Sequence, residues 1–406
     1  MTWITMAELP LQGKRVLIRE DLNVPLNANG SIADDTRIRA SVETLQMALQ
    51  HGAKVQVLSH LGRPQEGAFD PGFSLQVVAT RLAQLLDKPV PLVRDWLPGQ
   101  ENHNVLTSQG DGEIYLLENV RFNVGEKADD PTLARQMASL CDIFVMDAFA
   151  TAHRAQASTH GVAQFAPIAC AGPLLCREIA ALDKAIKDPK RPLVTLIGGA
   201  KIHTKLQLLR HLVEFSDRVL VGGGIANTLL LARGIQIGES LAEPDFLPQA
   251  KELLQFAENL HRPIPLPVDV VIAEELRGQV SSRVSSISQI GPKDRIGDIG
   301  PLTIASYQNI LRSANTIVWN GPFGVAEVPA FATGTNSLIQ TITQSEAYSL
   351  LGGGDTVAAL NRSGLAHKIS YISTGGGAFL TYLEGKELPG IQILQQKGEN
   401  MTGGLS

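Results

Sequence analysis

Short apolar runs recur along almost the whole chain, at 16–18, 55–58, 114–117, 143–146, 193–197, 219–221, 268–272, 317–319, 349–351 and 369–372. No other feature constrains the fold as much. The runs are near-continuous rather than alternating with polar residues, the pattern of strands buried on both faces of a parallel sheet. Helix-length amphipathic segments lie between many of them. In 74–86, for example, Leu75, Val78, Leu82 and Leu85 fall on one helical face. Strand–helix alternation of this kind predicts an α/β chain with mostly parallel sheets. A length of 406 residues suits two or three domains at roughly 150 residues each.

Composition narrows the function. With 44% hydrophobic residues, 18% charged residues and a net charge of −5, the chain is neither disordered nor a basic nucleic-acid binder. No apolar run approaches the ~18 residues that span a membrane, and residues 1–10 carry no secretory pattern. Cys141, Cys170 and Cys176 are too few for a disulfide framework and lack zinc spacing, so a cytoplasmic, reducing location is expected.

One boundary is legible. From Pro173, the apolar residues Leu175, Ile179, Leu182 and Ile186 follow helical spacing, and Asp188 before Pro189 ends the segment. A connecting helix over 173–188 is predicted between lobes 1–172 and 189–387. The basic residues Lys184, Lys187, Lys190 and Arg191 at its end would also suit an ordinary solvated helix terminus.

Ligands of open parallel sheets bind at the carboxyl ends of strands, so the residues just after each run bear on function. In the first half the runs lead into 19–25 (REDLNVP), 59–64 (SHLGRP), 118–122 (ENVRF) and 147–154 (DAFATAHR), with Arg37 and Arg39 after a polar turn. Arginine or histidine appears in every one. A single arginine there is an ordinary surface residue. Several on one sheet edge require an anion, which the guanidinium fork binds bidentately.

The second half leads instead into 198–205 (GGAKIHTK), 222–227 (GGGIAN), 319–324 (WNGPFG), 352–356 (GGGDT) and 373–377 (STGGG). Glycine lets a ligand approach the backbone, and amides at a helix start bind phosphate. Tight turns use glycine too, but three triplets after apolar runs point to phosphate binding. Lys201 and Lys205 could supply cations. Asp355 is placed as a hard-oxygen ligand for Mg²⁺. The P-loop, dinucleotide and protein-kinase fingerprints are absent, as are a nucleophile-elbow serine and a histidine metal motif.

Taken in order, these motifs resemble the phosphoglycerate kinase family over almost the whole chain. The resemblance implies two Rossmann-like α/β lobes with mostly parallel sheets, joined by a connecting helix and hinge, with segment 388–406 returning to the first lobe. It implies a monomer catalysing reversible phosphoryl transfer between ATP and 3-phosphoglycerate, giving ADP and 1,3-bisphosphoglycerate with Mg²⁺, and no nucleic-acid or membrane partner. Carried over by position, Asp21, Asn23, Arg37, His60, Arg63, Arg121 and Arg154 would bind 3-phosphoglycerate, with His153 a weaker candidate. Lys201 and Lys205 would meet the nucleotide phosphates. Asn320, Pro322, Val325 and Glu327 would line the nucleoside pocket. Gly353, Gly354, Asp355 and Thr356 would hold phosphate and metal. Gly375 and Gly376, with Arg37 and Lys201, would face the transferring group.

Departures from the family pattern are few: Glu20 and Leu22 beside the ligand residues, Ala150 for a common glycine, and Gln156 for a second histidine. The acceptor is a carboxylate, ionised at neutral pH, so no general base is needed. Charge neutralisation and alignment carry the reaction. The rival readings are a two-lobe binding protein, for which Asp355 and Lys201 are superfluous, and a dinucleotide-dependent dehydrogenase, which lacks its fingerprint.

Overall fold

The computed structural model describes residues 3–403. The expected N-terminal lobe and C-terminal segment therefore each extend slightly outside the described residues. The chain divides into two compact units, Met1–Ala180 with Glu387–Ser406, and Ala181–Lys386.

In the first unit the strands are β1 (Arg15–Arg19), β2 (Lys54–Leu58), β3 (Leu92–Val93), β4 (Ile114–Leu117), β5 (Ile143–Met146) and β6 (Ile168–Ala171). They form one parallel sheet in the order β3-β4-β2-β1-β5-β6. Arg19 lies opposite Leu58 on one side and Met146 on the other, so the segments after these strands leave the sheet at one level. The sheet's apolar side chains, among them Ile18, Val57 and Val145, pack with Ile38, Leu45, Val78 and Leu82 from the flanking helices. Each such burial contributes about 1.5–3 kcal/mol. The 74–86 segment forms a helix over Gln76–Leu86. Its buried face is Val78, Ala79, Leu82 and Leu86, with Leu85 only half-buried. Four-residue steps from Leu75 and Val78 lead to that face, and Leu85 falls at its margin.

The second unit contains β7 (Leu193–Ile197), β8 (Arg218–Val221), β9 (Asp269–Ala273), β10 (Arg283–Ser286), β11 (Arg295–Ile299), β12 (Thr316–Asn320), β13 (Tyr348–Gly352) and β14 (Tyr371–Ser373). Five of them make a parallel sheet in the order β14-β13-β12-β7-β8. Trp319, Leu196 and Leu351 pack there with Leu338, Ile342 and Leu360. The run at 268–272 does not join this parallel sheet. It becomes β9, in a separate antiparallel sheet ordered β10-β9-β11. Only residues 274–282 connect β9 to β10, too few for the dozen or more that a parallel crossover needs. The run at 369–372 also shifts, because Ile369 closes the Ala366–Lys368 turn and pairing starts at Tyr371.

The helix Pro173–Ile186 carries the chain from one unit to the other. Leu175, Ile179, Leu182 and Ile186 are all buried. The division falls inside this helix, after Ala180, where the sequence suggested boundaries at its ends. Its first turns belong to the first unit, with Leu175 N donating to Asp147 at 2.8 Å and Arg177 paired with Glu43 at 2.7 Å. Its later turns belong to the second, where Tyr348 Oη donates to the Ala181 carbonyl at 3.2 Å. The C-terminal helix Pro389–Gly403 lies in the first unit, with Gly390 N donating to Ala152 O and Lys397 Nζ to Ala166 O, both at 2.9 Å. Among the described residues, no helix is long and apolar enough to cross a membrane.

Candidate active site

The four motif-bearing strands of the first unit are neighbours, β4-β2-β1-β5, and the edge strands β3 and β6 carry no motif. Asp21 and Asn23 follow β1. Arg37, on the first turn of the helix Thr36–Gln50, places Nη1 2.9 Å from Asp21 Oδ2 and 2.9 Å from the Asn23 carbonyl. Asn23 Oδ1 accepts from Gly62 N at 2.8 Å, and Arg121 Nη1 donates to the Gly62 carbonyl. Gly62 has φ +60, a left-handed conformation that suits glycine and turns the loop back between these partners. One network thus ties the ends of β1, β2 and β4.

His60 is buried at the centre of this cluster. Burial, and then the charges of Arg19, Arg121, Arg37 and Arg154, hold its pKa well below the usual histidine value. Arg121 is itself pushed down to about 10, first by burial and then by Arg19 and Arg154. Cations gathered around one buried histidine gain from an incoming anion. Arg63 and Arg154 are exposed. His153 Nε2 accepts from Arg154 Nε at 3.1 Å, so its ring orients Arg154. Arg39 is drawn away from the cluster by Asp35 at 2.9 Å.

Sequence reasoning counted Arg19 among the strand-end cations but not among the substrate ligands, and gave no role to Ser158 or Glu126; all three are buried beneath the cluster. A signal was available for Arg19, a charged residue closing an otherwise apolar run. The departures are accommodated. Glu20 is fully buried, and burial with the neighbouring Asp147 carboxylate raises its pKa far above the usual range. Both causes favour its neutral form, which adds no negative charge to the cluster. Ala150 lies in the short turn Phe149–Thr151 without left-handed backbone. Gln156 is buried, and its backbone carbonyl accepts from the amides of Thr159, His160 and Gly161. A separate cavity of about 710 Å³ borders Phe69, Arg94, Trp96 and Phe122 but none of the cluster's arginines.

In the second unit all five strands of the parallel sheet end in a motif. A cavity of about 400 Å³ opens beside them, walled by Gly199, Ala200, Gly223 and Gly224 and by the Pro322–Glu327 loop, with Asp355 at its border. The expected residues Pro322, Val325, Glu327 and Asp355 all line it. Asn320 does not. Its side chain ties three strand ends, Oδ1 accepting from Lys205 Nζ at 2.7 Å and Nδ2 donating to Gly352 O at 2.9 Å. Lys205 also donates to Gly198 O at 2.8 Å, so two of its three protons are committed to the fold. Burial pushes its pKa down to about 8, and Asp355 partly offsets this. Lys201 is exposed. Thr356 Oγ1 accepts from Gly321 N at 2.6 Å. Gly353 (φ +98) precedes the helix Gly354–Ser363, and Gly376 (φ +50), after Gly375, precedes the helix Gly377–Leu383.

The antiparallel strands supplied lining that the sequence did not announce. A bulge in β11 at Gly297 lets the Gly297 carbonyl accept from Val325 N at 2.9 Å. The buried Asp298 carboxylate accepts from Gly334 N at 2.6 Å and from Ile299 N at 2.9 Å. The first bond fastens the Pro322–Glu327 loop to the small sheet, and the Gly334 bond fastens the start of the helix Thr333–Gln344 to it.

Two parallel sheets, one ending in a crowded guanidinium cluster and the other in a glycine-walled cavity beside a carboxylate, define an α/β enzyme that handles two kinds of anionic ligand. A family model described as phosphoglycerate kinase matches residues 6–386. The phosphoglycerate kinase structure from Coxiella burnetii is similar at 49% identity and TM-score 0.90, covering 98% of this chain and 100% of that one. The phosphoglycerate kinase structure from Pyrococcus horikoshii OT3 is similar at 31% identity and TM-score 0.84, covering 98% and 99%. The chain belongs to the phosphoglycerate kinase family and is a glycolytic kinase.

Proposed function

We propose that the two units divide the substrates of this reaction between them. The reaction is the reversible transfer of a phosphoryl group between ATP and 3-phosphoglycerate, giving ADP and 1,3-bisphosphoglycerate. In the first unit, Asp21, Asn23, His60, Arg63, Arg121 and Arg154 hold 3-phosphoglycerate, and His153 orients Arg154. Arg37 aligns the reacting end and offsets the charge that builds between two anions. In the second unit, Pro322, Val325 and Glu327 receive the nucleoside. Lys201, Gly353, Gly354, Thr356 and the amides at Gly375 and Gly376 face the phosphates. Lys205 and Asn320 keep the strand ends in place for them.

The observation that carries this reading is the convergence on His60 of Arg19, Arg121 and Arg154 from adjacent strand ends and of Arg37 from the helix after the first strand. The acceptor carboxylate needs no base. Asp21 acts on Arg37, holding its guanidinium fork at 2.9 Å.

The donor set also fits Mg²⁺. Asp355 is an exposed carboxylate at the cavity border, and no group of three or more His, Cys, Asp or Glu that could hold a metal occurs among the described residues. Mg²⁺ suits one carboxylate plus phosphate oxygens rather than a protein cage. When bound it would neutralise phosphate charge. In-line transfer requires both substrates within contact distance, so the Pro173–Ile186 helix is assigned the hinge region. One chain supplies every group in this reading, consistent with a monomer. The three unpaired cysteines suit the reducing cytoplasm.

The test is a coupled assay. ADP should form from ATP only when 3-phosphoglycerate and Mg²⁺ are both present. Equal ADP production without the acceptor would overturn the reading in favour of an ATPase.

A further inference from the structure

We propose that Arg19, Ser158 and Glu126 form a positioning relay that fixes the His60 ring as the Nε2–H tautomer. His60 then presents a donor, never a lone pair, to its anionic ligand. The inference rests on the assignment of His60 to the 3-phosphoglycerate site.

Arg19 Nη2 lies 3.3 Å from His60 Nδ1. A guanidinium has no acceptor, so Nδ1 must accept and the ring proton must reside on Nε2. Arg19 is pinned on its other sides, with Nε donating to Ser158 Oγ at 3.0 Å and Nη1 to the Glu20 carbonyl. Because Ser158 Oγ accepts from Arg19, its own proton is directed to Glu126 Oε1 at 2.6 Å. Ser158 N donates to Glu126 Oε2 at 3.0 Å. Both Glu126 oxygens accept, as a carboxylate does. Arg19 and Glu126 are 1% and 0% exposed, and buried charges persist only when partnered in this way. The relay sets the direction of every proton from Glu126 to the ring.

A structural ion pair would not require its third bond to end on a pocket histidine. The competitor for the ring is Asp21, whose Oδ1 lies 3.9 Å from the same Nδ1. Had Asp21 won, Nδ1 would carry the proton and Nε2 would turn a lone pair toward an anion. Arg19 is nearer, and Asp21 is engaged by Arg37 at 2.9 Å and by Asn23 N at 3.2 Å. The charged groups facing His60 are Arg19 and Asp21 from the β1 end, Arg37 from the following helix, Arg121 after β4 and Arg154 after β5. Four cations against one carboxylate oppose a second ring proton, so the donor does not depend on pH.

Long-range ¹H–¹⁵N correlation of ligand-free protein, with His60 assigned from His60→Gln, reads the tautomer directly. Wild type should show unprotonated Nδ1 and protonated Nε2 from about pH 5.5 to about 8.5, a window spanning the ordinary histidine pKa. In Arg19→Met the tautomers should mix or the ring should titrate. KM for 3-phosphoglycerate should rise about tenfold, the scale of a lost hydrogen bond to a charged group, with KM for Mg-ATP unchanged. Ser158→Ala, which keeps Arg19 but removes the bridging hydroxyl, should shift His60 in the same direction by less. An unprotonated Nε2 in wild type, or His60 nitrogen shifts unchanged in Arg19→Met, overturns the relay. If Arg19→Met does not fold, unchanged shifts in Ser158→Ala do so. Wild-type protein lacking 3-phosphoglycerate-dependent turnover would remove the substrate assignment while leaving the tautomer result intact.

Discussion

The strand ends of the first unit carry charge on side chains, whereas those of the second expose backbone. In the first, arginines from four segments crowd one buried histidine, and the backbone between them tolerates change: Ala150 sits in an ordinary turn and Glu20 is buried where its surroundings favour the neutral acid. In the second, glycines wall one side of the cavity and lie close against other backbone. A Cβ on Gly198 would run into the carbonyl oxygens of Gly321 and Pro322, and one on Gly224 into that of Ala200. A site built of side chains is vulnerable to loss of a charge. A site built of backbone is vulnerable to gain of an atom.

That contrast can be broken by mutation. The largest effect is expected at Arg37, whose removal deletes the charge assigned to offsetting repulsion between the two anions. Arg37→Ala should lower kcat by roughly 10³-fold or more, the low end for a transition-state arginine, while KM for ATP stays put. A variant keeping a tenth of wild-type kcat would take Arg37 out of the catalytic set. Next comes Gly198→Ala, which adds one carbon. Displacing the Gly321–Pro322 backbone by about 1 Å should raise KM for ATP on the order of 100-fold, with KM for 3-phosphoglycerate unaffected. An unchanged nucleotide KM in a folded variant would show that the close packing of the glycine wall is not needed for binding. Asp355→Asn keeps the shape and removes the charge. KM for Mg-ATP should rise about 10- to 100-fold, as for loss of a metal-supporting group, and the rate's dependence on Mg²⁺ should weaken. An unaltered Mg²⁺ dependence would assign the metal to another ligand.

The smallest effect is read through pH, at a carboxyl held by backbone amides in the second unit. Burial pushes Asp298 up to about 7, against the pull of the Gly334 and Ile299 amides. Its folded pKa lies above the unfolded value, so the folded state binds more protons in between. Its stabilisation is present at low pH and is lost as pH rises from about 4 through 7. Melting temperatures of wild type and Asp298→Asn, compared across that range, should diverge in favour of the variant as pH rises. Parallel curves would show that Asp298 is ionised throughout.

Much of this was legible in local sequence. The apolar runs marked β1, β2, β4, β5, β7, β8, β12 and β13 because a strand buried on both faces must be apolar nearly throughout. Motifs after those runs were legible because ligand groups cluster at carboxyl strand ends. The two-residue β3 was too short to register, and the antiparallel β10 and β11 carry polar and charged residues among the apolar ones. Lys205 and Asn320 read as ligand residues from their motifs. Only the fold shows that they spend their hydrogen bonds on neighbouring strand ends.

The alternation of strand and helix, and the kind of chemistry after each strand, can be read along the chain itself. Both are written within a few residues of one another. Tertiary structure alone decided that β4, β2, β1 and β5 are neighbours, which is what brings Arg121, His60, Arg19 and Asp21 together. It also decided that Arg19 meets Ser158 across a separation of 139 positions, and so which nitrogen of His60 holds the proton. Strand order follows from how crossovers and helices bury apolar area over the whole unit, a sum that no local window of sequence contains.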